Sequence, residues 1–143
     1  VSWCSGAPGV AVALLAAARA LDDDELASDA IAAVRGDDAY DDVPADATLC
    51  HGTAGLAHLC NRLYQATGDG GLAERALGWL RRTMAAHTPG AGVAGFRRWR
   101  RKPTTQWEAD PGVLVGAAGI GLALLAAATP LAPDWDRVLA ADV

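Results

Sequence analysis

Leu49-Cys50-His51-Gly52-Thr53-Ala54-Gly55 opens an apolar, Ala/Leu-rich segment, and Trp3-Cys4-Ser5-Gly6-Ala7-Pro8-Gly9 does the same 46 residues earlier. Each motif sets a cysteine two residues before a Gly-x-x-Gly. A third copy, Gly116 to Gly119, follows the second by 64 residues, with Leu114 and Val115 where the others have Cys4-Ser5 and Cys50-His51. Each copy leads into an apolar run: Val10 to Ala20, Leu56 to Thr67 and Ile120 to Ala128. After an acidic or Gly/Pro break comes a more amphipathic stretch: Asp23 to Arg35, Leu72 to Ala86 and Trp135 to Ala141. Periods of this size, with one apolar and one amphipathic helix per unit, signal a helical-hairpin repeat. The expected fold is all-α, one domain over residues 1–143, with repeats at about 1–46, 47–110 and 111–143.

Within each hairpin the apolar helix should be buried on most sides and its partner on one face. Leu72, Ala76, Trp79 and Leu80 fall at helical intervals, with Glu74, Arg75, Arg81 and Arg82 mostly opposite. Asp22, Asp23, Asp24 and Glu25 suit the positive end of a helix dipole, and Asp69 and Asp134 precede two further helix starts. The connections Gly36 to Thr48 and Thr88 to Asp110 are expected to be irregular, and no segment alternates as a strand would.

The chain has 143 residues, enough for a real core, and is rich in alanine and poor in aromatics. A net charge of −5 argues against a general nucleic-acid partner. Three cysteines, two of them in matched motifs, suit a reducing cytoplasm better than a disulfide framework. Trp3, Cys4 and Pro8 interrupt any secretory h-region at the start. Pro111 to Pro133 lacks charge over a membrane-like length, but its glycines, alanines and edge prolines argue against a transmembrane segment. The specialised motif begins two residues after Val1, so a missing upstream portion is expected.

Cys4, Cys50 and His51 have the composition of three protein ligands to one zinc, which leaves a fourth position open, as in catalytic sites. If the first two repeats stack, their helix axes lie about 8–10 Å apart, and two cysteines in equivalent registers reach a shared ion. His51 adjoins Cys50, so both can ligate only from non-helical backbone before the helix proper. The third copy keeps Gly-x-x-Gly without the ligands, which marks the glycines as scaffold. The competing reading makes Cys4 and Cys50 small buried hydrophobes, with His51 a hydrogen-bonded neighbour. Cys60 reads as a core residue, and His58 as a satisfied core histidine rather than a proton carrier. His87 reads as a helix-end dipole partner. Gly116 to Gly121 lacks both the order and the preceding strand of a nucleotide loop. The basic run Arg97 to Lys102 reads as a solvated loop, or alternatively as a contact for an acidic peptide or phosphate with Trp99 as anchor.

Taken in order, Trp3-Cys4-x-Gly6-x-Pro8-Gly9, Cys50-His51-Gly52-Thr53-Ala54-Gly55 and Gly116-Ala117-Ala118-Gly119-Ile120-Gly121 resemble the lanthionine synthetase C-like family. Pro133-Asp134-Trp135-Asp136 is similar to that family's ends. The resemblance covers essentially the whole chain and the C-terminal part of a seven-hairpin α/α toroid, so it implies an incomplete (α/α) barrel. It implies Zn2+ held by Cys4, Cys50 and His51, and thioether formation by addition of a cysteine to dehydroalanine or dehydrobutyrine. It also implies a dehydrated precursor peptide as partner, with a dehydratase fused or separate. The family's histidine and aspartate proposed for proton handling lie upstream and have no counterpart here, so the catalytic residues are unknown and this portion alone is expected to be inactive. Two alternatives of other classes stand beside the cyclase. One is a non-catalytic zinc-holding module that binds thiols or partner proteins. The other is a basic-loop protein contacting nucleic acid or membrane.

Overall fold

The computed structural model describes residues 2–35, 46–100 and 106–143. Five α-helices carry it: α1 (Ala7–Leu21), α2 (Asp24–Arg35), α3 (Thr53–Thr67), α4 (Gly70–Ala85) and α5 (Ala117–Ala128). A 3-10 segment, Asp134–Leu139, follows α5. The stretch expected from Gly36 to Thr48 falls outside the described residues as far as Ala45, and so do Arg101 and Lys102 of the basic run.

Helices α1, α3 and α5 each begin one residue after the first glycine of a Gly-x-x-Gly, so the three copies share one register. The second glycine explains why. A Cβ at Gly9, Gly55 or Gly119 would fall well inside contact with the carbonyl oxygen of Trp3, Leu49 or Val113 respectively. In every copy that carbonyl lies six residues upstream. The incoming loop folds back over the first turn of its own helix, and only a glycine lets the backbones approach so closely.

The turn between α1 and α2 is closed by Asp22 in the left-handed region, and the Asp23 carboxylate accepts from the Leu26 amide at 3.0 Å. Gly68, at φ 73°, closes α3, and Asp69 then caps α4 by accepting from the Gly71 amide at 2.8 Å. Asp69 also pairs with Arg35 at the end of α2, and Arg75 donates to the Arg35 carbonyl at 2.9 Å. One aspartate thus starts a helix and ties the first hairpin to the second.

α3 is the inner helix on which the rest is laid. It packs against α4, α5 and α1, and every residue from Thr53 to Cys60 is buried. Leu56, Leu59 and Leu63 have no accessible surface, and burying each contributes about 2 kcal/mol. α1 and α5 are as apolar in sequence, yet Val10 and Leu125 are each 54% exposed. Among the described residues these two helices have another inner helix on one side only, which is why they bury one face rather than most of their surface. The amphipathic α2 and α4 bury short stripes, Ala30 and Val34 in the first and Leu72, Ala76, Trp79 and Thr83 in the second. Thr53 and Thr83 join hydroxyls at 2.8 Å across the α3–α4 interface. Because Thr83 donates to the Trp79 carbonyl at 3.0 Å, the shared proton there comes from Thr53.

Two sequence expectations are corrected. The Thr88 to Asp110 connection contains an antiparallel pair, β1 (Arg98–Arg100) and β2 (Gln106–Glu108), with Trp99 opposite Trp107. Three-residue strands are too short for alternation to register in sequence. The amphipathic helix expected over Trp135 to Ala141 is instead the 3-10 segment, which Ala140 ends at φ 55°. No helix among the described residues is long and apolar enough to cross a membrane.

Gly78 and Gly121 sit in helices with open space around them. Gly78→Ala is expected to stabilise the fold by about 0.5–1 kcal/mol. Gly55→Ala and Gly119→Ala should each cost roughly 1–3 kcal/mol or more, because backbone must move. Thermal unfolding checks the contrast, with roughly 2–4 °C per kcal/mol expected for a chain of this size. Equal midpoints for Gly55→Ala and Gly78→Ala would contradict the packing account.

Candidate metal centre

Cys4 stands two residues before the start of α1's cap at Gly6, and Cys50 and His51 immediately precede Gly52, the cap of α3. Because α1 lies against α3, the two incoming loops run side by side. The Trp3 amide donates to the Cys50 carbonyl at 3.1 Å, and the Cys50 amide donates to the Leu114 carbonyl at 2.7 Å. Backbone hydrogen bonds therefore lace all three copies of the motif together at one end of the helices. Residues 49–51 form a turn ahead of α3, and this non-helical backbone lets the adjacent Cys50 and His51 side chains face one point.

The three side chains converge. Cys4 Sγ lies 3.4 Å and Cys50 Sγ 3.9 Å from His51 Nε2, and all three ligand atoms fall within 4.8 Å of one another. A tetrahedral zinc, with bonds of about 2.3 Å to sulfur and about 2.0 Å to nitrogen, holds its ligand atoms roughly 3.5–3.8 Å apart. The donor set is right for that ion: two thiols and an imidazole, with Cys4 and His51 exposed and Cys50 half-buried. The buried-hydrophobe reading of Cys4 fails on exposure. It does hold for Cys60, which has no accessible surface and whose thiol burial pushes up to about 12.

The two candidate thiols differ. Burial pushes Cys4 upward, but hydrogen bonds from Ser2, Cys50, Ser5 and its own backbone outweigh it and leave the thiol below its ordinary value. The Ser2 hydroxyl lies 3.6 Å from Cys4 Sγ and 2.8 Å from the Ser5 hydroxyl. Burial, then the hydrogen bond and charge of Cys4, raise Cys50 to about 11. A cation between the two sulfurs would relieve the repulsion that raises the second thiol.

His51 also borders a cavity of about 590 Å3 lined with Asp46, Thr48, Arg98, Trp99, Arg100 and Val115. Asp46 joins its two sides. One oxygen accepts from the Thr48 amide at 3.0 Å and the Thr48 hydroxyl at 2.8 Å, and the other accepts from the Trp99 amide at 2.8 Å. The β1–β2 hairpin is thereby fastened to the loop that carries Cys50 and His51. Sequence reasoning missed Asp46, although the short spacing to Thr48 is an Asx-turn pattern. Two arginines of the basic run are paired within the hairpin. Arg98 pairs with Glu108 at 3.0 Å and Asp110 at 3.3 Å, and Arg100 pairs with Glu108 at 2.9 Å. Hydrogen bonds from Gln106 and Arg100, the two largest causes, outweigh desolvation and, with a lesser one from Arg98, hold the Glu108 carboxyl down to about 2.

His58 is a core residue, as expected, but it is satisfied through one nitrogen only: Nε2 lies 2.9 Å from Asp136 Oδ2, Nδ1 is buried without a partner, and neither side chain reaches solvent. Asp136 was not singled out in the sequence, since nothing local distinguishes it from the exposed Asp134. His87 follows the end of α4 and meets Phe96 edge-on at 5.2 Å between ring centres.

A family model described as lanthionine synthetase C-like protein matches residues 1–140. No curated protein matches the chain.

Brief alkylation of the metal-free protein should label Cys4 first, Cys50 more slowly and Cys60 only on unfolding, because reaction follows thiolate population and access. Mass spectrometry of the digest checks the order, and early labelling of Cys60 would contradict it. Glu108 gives a second check. Its folded value lies below the ordinary 4.5, so its stabilising contribution is complete above that pH and disappears as pH falls through about 2. An NMR titration should find its carboxylate still ionised at about pH 3.

Proposed function

Because this chain belongs to the lanthionine synthetase C-like family, we propose that it carries the metal-binding part of a zinc-dependent cyclase that closes thioether rings in dehydrated peptides. The observation that carries this reading is the convergence of Cys4 Sγ, Cys50 Sγ and His51 Nε2 within 4.8 Å, at the mouths of two adjacent helices. Cys4, Cys50 and His51 are proposed as the protein ligands. Bound there, zinc would supply a Lewis-acidic position at which a peptide cysteine is held as thiolate near neutral pH, against an ordinary thiol value of about 8.5.

The reaction balances without a further co-reactant. The cysteine sulfur adds to the β-carbon of dehydroalanine or dehydrobutyrine, the carbon–carbon double bond is lost, and a proton returns to the α-carbon. This chain's residues contribute binding and orientation. The Asp46-fastened hairpin walls the cavity beside His51, and the Trp99 ring offers an apolar surface at 38% exposure. Peptide backbone and side chains are proposed to lie in that cavity, with the reacting cysteine at its His51 end. No residue of the chain is assigned the return of the proton. The role is not given to His58, whose side chain is buried and whose Nε2 is paired with Asp136.

Zinc content near one per chain is expected, falling to a small fraction in Cys4→Ala and Cys50→Ala. Incubation of the zinc-loaded full-length protein, any upstream portion included, with a dehydrated cysteine-containing peptide should consume free thiol with no change in peptide mass. Zinc binding without thiol consumption would favour a non-catalytic thiol-binding module, and a protein that takes up no zinc would end the proposal.

A further inference from the structure

From Ser2 to Gly6 the loop that presents Cys4 has no regular structure, and its large apolar anchor is the ring of Trp3. That ring lies over His58 with centroids 5.7 Å apart and planes 11° apart. Trp135 also meets the His58 ring, tilted at 33° with centroids 4.7 Å apart. The imidazole thus touches two indoles, one adjoining a proposed zinc ligand and the other in the C-terminal 3-10 segment.

Asp136 sets the orientation of this ring. Its Oδ2 is 2.9 Å from His58 Nε2 and 3.0 Å from Arg62 Nε. A carboxylate offers acceptors only, so Nε2 carries the proton and the ring plane is fixed by that bond. The arrangement is a costly way to fill space. His58 Nδ1 and Asp136 Oδ1 are buried without a hydrogen-bond partner, and a leucine at position 58 would pack without that penalty. A leucine could not present a flat face of fixed direction to Trp3.

We propose that His58 is a positioning residue for Cys4, held in plane by Asp136 so that the Trp3–His58–Trp135 stack sets the loop that aims Cys4 Sγ at the shared metal position. The inference rests on the zinc reading for its metal readout, but the stack and its effect on Cys4 exist without the ion. The C-terminal segment, distant in sequence from both cysteines, becomes part of the ligand support through it.

The test uses the full protein and the variants His58→Leu, His58→Phe, Trp135→Leu and, as a control for general destabilisation, Leu72→Ala. Zn2+ affinity is read by competition with a chromogenic chelator, and ligand geometry by the absorption of the Co2+-substituted protein. In metal-free protein, the alkylation rate of Cys4 is read relative to Cys50. His58→Leu should weaken Zn2+ binding by about tenfold, alter the Co2+ spectrum and speed Cys4 alkylation, with helical content retained. Trp135→Leu should do the same to a smaller extent. His58→Phe, which keeps a flat ring against the indoles, should hold the affinity within about threefold of the parent. Leu72→Ala should lower the melting temperature without these effects. Should His58→Leu not fold, Trp135→Leu and His58→Phe decide the matter. The inference is overturned if folded His58→Leu and Trp135→Leu match the parent in affinity, spectrum and Cys4 alkylation, or if Leu72→Ala reproduces their losses. If the parent itself binds no zinc, the metal reading fails, and an unchanged Cys4 alkylation rate in the stack variants would then overturn the positioning role separately.

Discussion

The close approach of a loop carbonyl to a glycine in the first helical turn is the constraint on which the rest depends. It occurs at Gly9 under Trp3, at Gly55 under Leu49 and at Gly119 under Val113, always across six residues. A fold-back of this kind fixes where the loop leaves and re-enters the helix axis. It therefore fixes the residues in between, among which stand Cys4, Cys50 and His51. A side chain at the second glycine would lift the loop off the helix, and the equivalence of the copies would go with it.

Equivalent loops on adjacent helices give the site its economy. Helices α1 and α3 pack side by side, so positions two residues ahead of their caps become neighbours across the interface. The Trp3 to Cys50 and Cys50 to Leu114 backbone bonds hold that alignment. The same lacing reaches the third copy, which lends a carbonyl and no ligand. From the other side, Asp46 draws the β1–β2 hairpin to Thr48, so that Trp99 and the paired Arg98 and Arg100 wall a cavity next to His51. Beneath it, the buried His58–Asp136 pair joins the C-terminal segment to α3. Each of these polar contacts spends buried hydrogen bonding on the placement of a loop, where apolar packing alone would leave its direction undetermined.

Much of the fold was legible because its signals are local. Helix starts follow from Gly-x-x-Gly and from Asp23 and Asp69, which bond the amides of the turns they open. The hairpin around Trp99 and Trp107 was not legible, since strands of three residues leave no periodic trace and their pairing depends on partners six to ten residues apart. Nor was the uneven burial of α1, α3 and α5. Three runs of similar composition receive different surroundings according to how many neighbours they have, and composition does not count neighbours.

By itself the sequence determined the repeat, the helical periodicity, the residues with metal-binding chemistry and the family signature, because each is written in spacing and residue type along the chain. Tertiary structure alone decided that Cys4, 47 residues from His51, comes within 3.4 Å of its imidazole. It decided equally that Asp136 rather than Asp134 is the one sealed against His58. Those choices belong to the packing of helices and the closure of loops, and no pattern confined to neighbouring residues carries the distance between segments that meet only on folding.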